Sequence, residues 1–465
     1  GTLIINKKGE FLEDVTLADT IGGWISHLFE YITGALKDVT FEVYALEDIQ
    51  AADGESEDYY KKDELIATIT TDETGIAKLS GLPLGKYYLK EKETAEGYVL
   101  DGEIREIDLT YVDQDTAEVT WNGDWQNNRQ KVEVSVLKKE KDTDRVLEGA
   151  VFALSAKDDI TNRDGEVVLE AGTVIEEKAT GEDGTLLFEA DLPIGFSYTV
   201  KETAPAPGFA TTDEVQEFTF TAESSDKAAV SYEFIFEDEP TVFEFTKTSL
   251  TDGKEVEGAK LTVTDENGEV VDEWVSGKEP HIIKELVVGQ TYTMTEVLPA
   301  PGYVTAESIQ FTVEDTAEVQ KVEMKDDVTK VEISKTDIAG NELPGAKLTI
   351  LDENGEVMES WTSSEEPHYI EMLPIGRYIL HEESAPEGYL VAEDIEFEVK
   401  DTGEIQKVVM KDEAAPEETP EEPQNPVGTD APKTGDDTNL LFWTALLGIG
   451  LCGTGAAFVM RRKRR

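Results

Sequence analysis

Apolar and polar residues alternate in short runs from Thr2 to Asp412, with Gly, Pro, Asn and Asp between the runs. A period of two places one set of side chains on one face, the signature of a half-buried strand. Turn signals such as DETG from Asp72, EDGT from Glu182 and DENG from Asp265 separate the strands. Short strands at this spacing, in units of about 90 to 130 residues, predict an all-β chain of tandem β-sandwiches. One stretch breaks the alternation. In TIGGWISHLFEYITGAL, the residues Trp24, Leu28, Ile32 and Leu36 recur every four positions. That spacing predicts a helical insertion near 20–36, capped by Asp19 or Thr20 and packed on its own domain. A ligand or partner contact is the alternative role.

The units are repeats. DENGEVVDEWVSGKEPHI from Asp265 returns as DENGEVMESWTSSEEPHY from Asp352, and QKVEMKDD later returns as QKVVMKDE. A looser pattern recurs four times: a strand ending in Lys, a Gly-Ala or similar step, a Tyr-x-apolar-x-Glu strand and a Pro/Gly turn. The Glu strands are YYLKEKETAEGY from Tyr87, YTVKETAPAPGF from Tyr198, YTMTEVLPAPGY from Tyr292 and YILHEESAPEGY from Tyr378. The expected domains are 1–130, 131–240, 241–328 and 329–413. A Pro/Glu-rich linker, 414–430, follows; it cannot bury a core and should be extended.

The tail, 431–465, has a different character. Leu440 to Met460 carries no charge and is long enough to form a transmembrane helix. Arg461 to Arg465 is a basic stop that belongs on the cytoplasmic side. Before them stand Ala431, Pro432, Lys433, Thr434 and Gly435. This order resembles the sorting signal of Gram-positive wall proteins, Leu-Pro-x-Thr-Gly, with Ala431 in the usual Leu position. The resemblance implies that a sortase cysteine attacks the Thr434 carbonyl. The Thr434–Gly435 bond then breaks, and the acyl group passes to an amine of peptidoglycan or a pilus subunit. It implies a cell-surface location, with a membrane-held precursor anchored through 440–460. An ordinary single-pass anchor is the alternative reading of the apolar run. Export needs a signal peptide, and the chain starts at Gly1 without one, so further sequence is expected before it.

Composition narrows the function. The chain has 465 residues, 101 of them acidic against 41 basic, for a formal charge of −60. Such a surface excludes nucleic acid, whose phosphates need Lys and Arg. A hydrophobic fraction of 39% in alternating runs argues against disorder. Cys452 is the single cysteine, so no disulfide can form within the chain. His27, His281, His368 and His381 lack metal-ligand spacing, and neither CxxC nor HExxH occurs. No metal and no cofactor are expected, and nothing marks a turnover enzyme.

The Lys strand, the Gly-Ala step (LEGAVFAL from Leu147, LPGAKLTI from Leu343), VYALEDI from Val43 and GLPLGKYYLKE from Gly81 carry a second resemblance. They resemble the SpaA-like, or collagen-adhesin B-type (Cna-B), prealbumin-like domain of pilins and adhesins. The third unit departs from the pattern, with ELVVGQ in place of the Leu-Pro-x-Gly turn. The resemblance implies Ig-like β-sandwiches, each able to form an intramolecular isopeptide bond from a first-strand Lys to a last-strand Asn or Asp, assisted by a Glu.

The phase of the strands fits these roles. Lys7 follows Leu3 and Ile5; Lys138 follows Val134 and Val136; Lys247 follows Phe243 and Phe245; Lys335 follows Val331 and Ile333. Glu91, Glu202, Glu296 and Glu382 are each in phase with the Tyr of their strand. Asp238, Asp326 and Asp412 are in phase with the apolar residues before them, and Asn127 with Trp125; Asn128 is the register alternative. Burial should lower a lysine pKa and raise a carboxyl pKa, which leaves a neutral amine facing a carbonyl polarised by a protonated Glu. Asn would release ammonia and Asp would release water. A buried Lys–Asp ion pair without a bond is the alternative in the three Asp domains.

The reading at this point is a wall-anchored adhesin or stalk of a Gram-positive cell. Its expected partners are sortase, peptidoglycan or a pilus subunit, and a host or cell-surface ligand. The alternatives are an accessory or basal pilus subunit and the spacer of an exported enzyme.

Overall fold

The computed structural model describes residues 1–18, 23–51 and 55–416. The sorting motif Ala431–Gly435, the apolar span 440–460, Cys452, the linker beyond 416 and the helix caps at Asp19 and Thr20 lie outside the described residues. Every regular element described is a β-strand.

Alternation becomes burial in four repeats of one plan. In the fourth, His368–Glu371, Lys330–Asp337 and Ile405–Asp412 form one sheet in that order. Val357–Thr362, Lys347–Asp352, Gly376–Ser384 and Ile395–Val399 form the other. Val331, Ile333 and Met410 from the first sheet meet Leu348, Ile350, Tyr378 and Leu380 from the second in one core. The third repeat has the same two sheets: His281–Lys284, Val242–Ser249 and Val319–Asp326 against Val270–Val275, Lys260–Thr264, Thr291–Leu298 and Ile309–Thr312. The second sets Thr185–Phe188, Lys131–Glu140 and Ala229–Asp238 against Val174–Ala179, Val151–Ala156, Ser197–Ala204 and Val215–Thr219. In every repeat the first and last strands are parallel neighbours. Parallel pairing needs a long crossover, here the whole body of the domain.

The first repeat carries an addition, and there the helix expected near 20–36 is a strand, His27–Ala35. The first strand, Thr2–Leu17, runs past its partners Ile76–Ser80 and Thr120–Gln126 and pairs antiparallel with His27–Ala35. The four-residue spacing misled because a second, period-two set lay inside it. Phe29 and Tyr31 point inward, while Trp24, Leu28 and Ile32, three of the four residues of the supposed stripe, are 40%, 55% and 41% exposed. Aromatic and β-branched residues favour the extended form once a pairing edge exists. Leu12 and Phe29 of this hairpin are buried in the core of the second repeat. Tyr31 Oη donates to Asp191 O at 2.8 Å, and the Arg129 guanidinium sits 3.7 Å from the Tyr31 ring centre. The hairpin is therefore a brace between domains, not an insertion packed on its own.

The remaining joints are built alike. Buried Thr241 donates N–H to Gly208 O at 3.0 Å and Oγ1–H to Leu286 O at 2.7 Å. Buried Thr329 repeats this with Gly302 O at 3.0 Å and Leu373 O at 2.6 Å. Gln130 N donates to Gly97 O at 2.8 Å at the first joint. Each Pro/Gly turn is thus hydrogen-bonded to the segment that enters the next domain.

Candidate functional site

The parallel pairing of first and last strands sets the site geometry. Lys7 lies opposite Trp125, Lys138 opposite Phe236, Lys247 opposite Met324 and Lys335 opposite Met410. The residue two positions on shares the face of that partner. It is Asn127, Asp238, Asp326 or Asp412, and each meets its Lys on the diagonal. Asn127 is buried and Asn128 is exposed, so Asn127 faces Lys7.

The glutamate comes from the opposite sheet. Glu91, Glu202, Glu296 and Glu382 pair with Phe41, Phe152, Leu261 and Leu348. A register shift falls directly before each of those four partners. Such bulges commonly re-aim side chains beside functional sites. The Glu crosses the core to the Lys: 2.7 Å for Lys7–Glu91, 2.8 Å for Lys138–Glu202, 3.1 Å for Lys247–Glu296 and 2.9 Å for Lys335–Glu382. Lys7 also donates to Asn127 Oδ1. Lys138 Nζ lies 2.5 Å from Asp238 Oδ1, and Lys247 and Lys335 contact Oδ1 of Asp326 and Asp412. The four lysines are 1%, 0%, 2% and 2% exposed, against a strong tendency of lysine to stay in water. All twelve residues expected from the sequence are brought together in four sets.

The walls differ between repeats. Lys7 Nζ lies 5.5 Å from the Phe41 ring centre and 5.0 Å from that of Trp125. Lys138 Nζ lies 5.5 Å from Phe152 and 6.0 Å from Phe236. Leu261 with Met324, and Leu348 with Met410, take these places in the last two repeats.

Burial dominates the protonation equilibria. It holds Lys7 below the usual lysine range, against the opposing pull of Glu91. It pushes Glu202 up to about 7, and Asp326 up to about 6 despite the neighbouring Lys247. Asp238 and Asp412 are raised for the same reason. A lowered amine pKa in the first domain and raised acid pKa values in the other three each ease one half of nucleophilic attack on a carbonyl, the free amine or the neutral carboxyl.

The structure also shows partners that sequence reasoning did not supply. Glu202 Oε2 accepts from Thr212 N at 2.9 Å, Glu296 Oε2 from Ala306 N at 2.6 Å and Glu382 Oε2 from Ala392 N at 2.7 Å. The donor is always ten residues past the Glu. At that spacing the first domain has Asp101, and Glu91 Oε1 instead accepts from Asn127 Nδ2 at 2.5 Å. The strand tyrosines fix the turn before each Glu. Tyr87, Tyr198 and Tyr378 donate to the carbonyls of Pro83, Pro193 and Pro374 at 2.6, 2.7 and 2.7 Å. In the third domain, where ELVVGQ replaces the Pro turn, Tyr292 Oη instead accepts from Val287 N and donates to Gln290 Oε1.

Comparison with known proteins agrees with this architecture. The SpaA prealbumin-like fold domain matches residues 31–125, 132–233, 241–328 and 329–414. Solved structures similar to the chain include the Bacillus anthracis TIE protein, at 22% identity and a TM-score of 0.37, over 86% of this chain and 75% of that one. BcpA, the major pilin subunit of Bacillus cereus, is 16% identical with a TM-score of 0.33, over 70% and 99%. A Streptococcal ancillary pilin is 17% identical with a TM-score of 0.23, over 70% and 98%. No curated protein matches. With four matches that together span well over half of its length, each on a sandwich of the same plan, the chain belongs to the SpaA prealbumin-like domain family.

Proposed function

We propose that this chain is a cell-wall-anchored stalk of a Gram-positive surface, joined by sortase at Thr434 and made of four self-crosslinking domains. The observation that carries the crosslinking is the diagonal register, repeated four times with a buried Lys, a Glu from the facing sheet and an Asn or Asp. In the first domain the neutral Lys7 amine adds to Asn127 Cγ and ammonia leaves. In the other three, the amine adds to the neutral Asp carboxyl and water leaves. Each event happens once, so the chain turns over no substrate. The absence of any possible disulfide gives the links their purpose in an exported protein.

Intact mass of the secreted chain tests the crosslinks. The expected result is the loss of one ammonia and three waters, with linked peptides that pair Lys7 with Asn127 and each remaining Lys with its Asp. An unmodified mass would leave four buried ion-pair networks and overturn the crosslinking. The anchoring is tested by Thr434→Ala, which should release the chain from the wall fraction into the medium. The pilus reading predicts an SDS-resistant ladder that disappears with the sortase; a single band from the wall fraction supports the stalk.

A further inference from the structure

The first domain differs from the other three in more than its acceptor. Asn127 Nδ2 carries two N–H groups, and each has its own acceptor: Glu91 Oε1 at 2.5 Å and Thr94 Oγ1 at 2.7 Å. Thr94 stands three residues past Glu91. The same position holds Pro205, Pro299 and Ala385 in the Asp domains, none with a side-chain acceptor. There the buried Asp238, Asp326 and Asp412 have the Lys and the facing Glu as side-chain partners and no hydroxyl in the place of Thr94. The acceptor type and the residue after the Glu thus change together within one chain.

We propose that Thr94 holds the leaving group of the Lys7–Asn127 reaction and makes the first domain specific for an amide. This rests on the crosslinking proposed above. The two acceptors fix the NH2 side of the amide, which turns Oδ1 and Cγ toward Lys7 Nζ. Glu91 connects nucleophile and leaving group through its two oxygens, with Oε2 2.7 Å from Lys7 Nζ and Oε1 on Asn127 Nδ2. As the Nζ–Cγ bond forms, Nζ gives one proton to Oε2. The Glu91 carboxyl then passes that same proton to Nδ2 as the Cγ–Nδ2 bond breaks, and Nδ2 departs as neutral NH3. Thr94 is half-buried and lines a cleft of about 570 Å³ bounded by Phe11, Tyr98 and Arg163. Ammonia held on Thr94 therefore stands at an opening, whereas Glu91 is sealed in the core.

The test follows the linked Lys7–Asn127 peptide over time in freshly made full-length chain, with Trp125 fluorescence as the check that the first domain is folded. Thr94→Val should slow its appearance roughly tenfold, the rate equivalent of one hydrogen bond in the transition state. Thr94→Ser should restore the rate, and the links in the other domains should form unchanged. Thr94→Ala serves the same comparison if the valine variant folds poorly. Linking at the wild-type rate in folded Thr94→Val or Thr94→Ala, or equally slow linking in Thr94→Ser, would overturn the role of Thr94 and leave the crosslink standing. No linked peptide in the wild-type chain would instead sink the crosslink in this domain, and Thr94's role with it.

Discussion

Arg145 of the second domain and Glu285 of the third meet in a two-pronged ion pair: Nη1 lies 2.5 Å from Oε1 and Nη2 2.9 Å from Oε2. The same guanidinium lies 5.3 Å from the Phe209 ring centre, beside the joint. Both side chains are about half exposed, so Arg145→Ala should cost no more than about 0.5–1 kcal/mol in stability. It should widen the range of angles between the two domains, read from residual dipolar couplings. Arg145 holds the Glu285 carboxyl below the usual range. A depressed carboxyl stabilises the pair above its unfolded pKa, and this contribution disappears as pH falls through the folded value. Acid should therefore loosen the wild-type joint and leave the variant unaffected.

Gly208 and Gly302 occupy φ of +90° and +87°, and a Cβ there would lie 2.9 Å from Glu285 O and 2.5 Å from Met372 O. Gly388 has the same φ, +88°, with nothing within 4 Å. Gly388→Ala should cost only the left-handed penalty, about 1–2 kcal/mol. Gly208→Ala and Gly302→Ala should cost that and also open the joint. Limited proteolysis should then cut near 238–242 or 326–330 in these two variants alone.

Phe29 is 8% exposed and belongs to the core of the domain that follows its own. Phe29→Ala should destabilise the second domain by about 3–5 kcal/mol, visible as the separation of a shared melting transition into two. If the first domain alone lost stability, the brace would be refuted.

The Asp crosslinks should be faster in acid. Only a neutral carboxyl can lose water, and burial raises Asp326 to about 6 and raises Asp238 and Asp412 as well. Between the unfolded and folded pKa values the native state binds the extra proton, so this contribution to stability is full in acid and disappears as pH rises through the folded value. Linking in the third domain should slow as pH rises past about 6, and linking in the second, where burial raises Asp238 as well, should also slow as pH rises. Mass time courses from pH 5 to 8 would show the slowing; a rate that rises with pH would contradict it.

The Lys, Glu and acceptor positions were legible because a period of two assigns each residue to a face, and a charged residue in phase with Val or Phe is conspicuous. The fold class was legible for the same reason. What escaped was whatever depends on a neighbour in space. The segment His27–Ala35 reads as a helix until the overhang of Thr2–Leu17 gives it an edge to pair with and the second domain gives Phe29 a core. Thr94 is unremarkable until the Asn127 amide is seen to rest on it. The backbone donors at Thr212, Ala306 and Ala392 carry no side-chain signature, and only their constant distance from the Glu could have marked them.

The diagonal between first and last strands has a topological consequence. If the four proposed links close, residues 8–126, 139–237, 248–325 and 336–411 become rings hanging from the main covalent path. A protease that cuts once inside a ring leaves both ends of the molecule joined. Only the connectors 127–138, 238–247 and 326–335 can sever it between Lys7 and Asp412. Those connectors hold Gln130, Thr241 and Thr329, exposed by 1%, 0% and 0%. The segments that must stay whole are thus the ones the joints bury, and the surface loops can be nicked without parting the stalk.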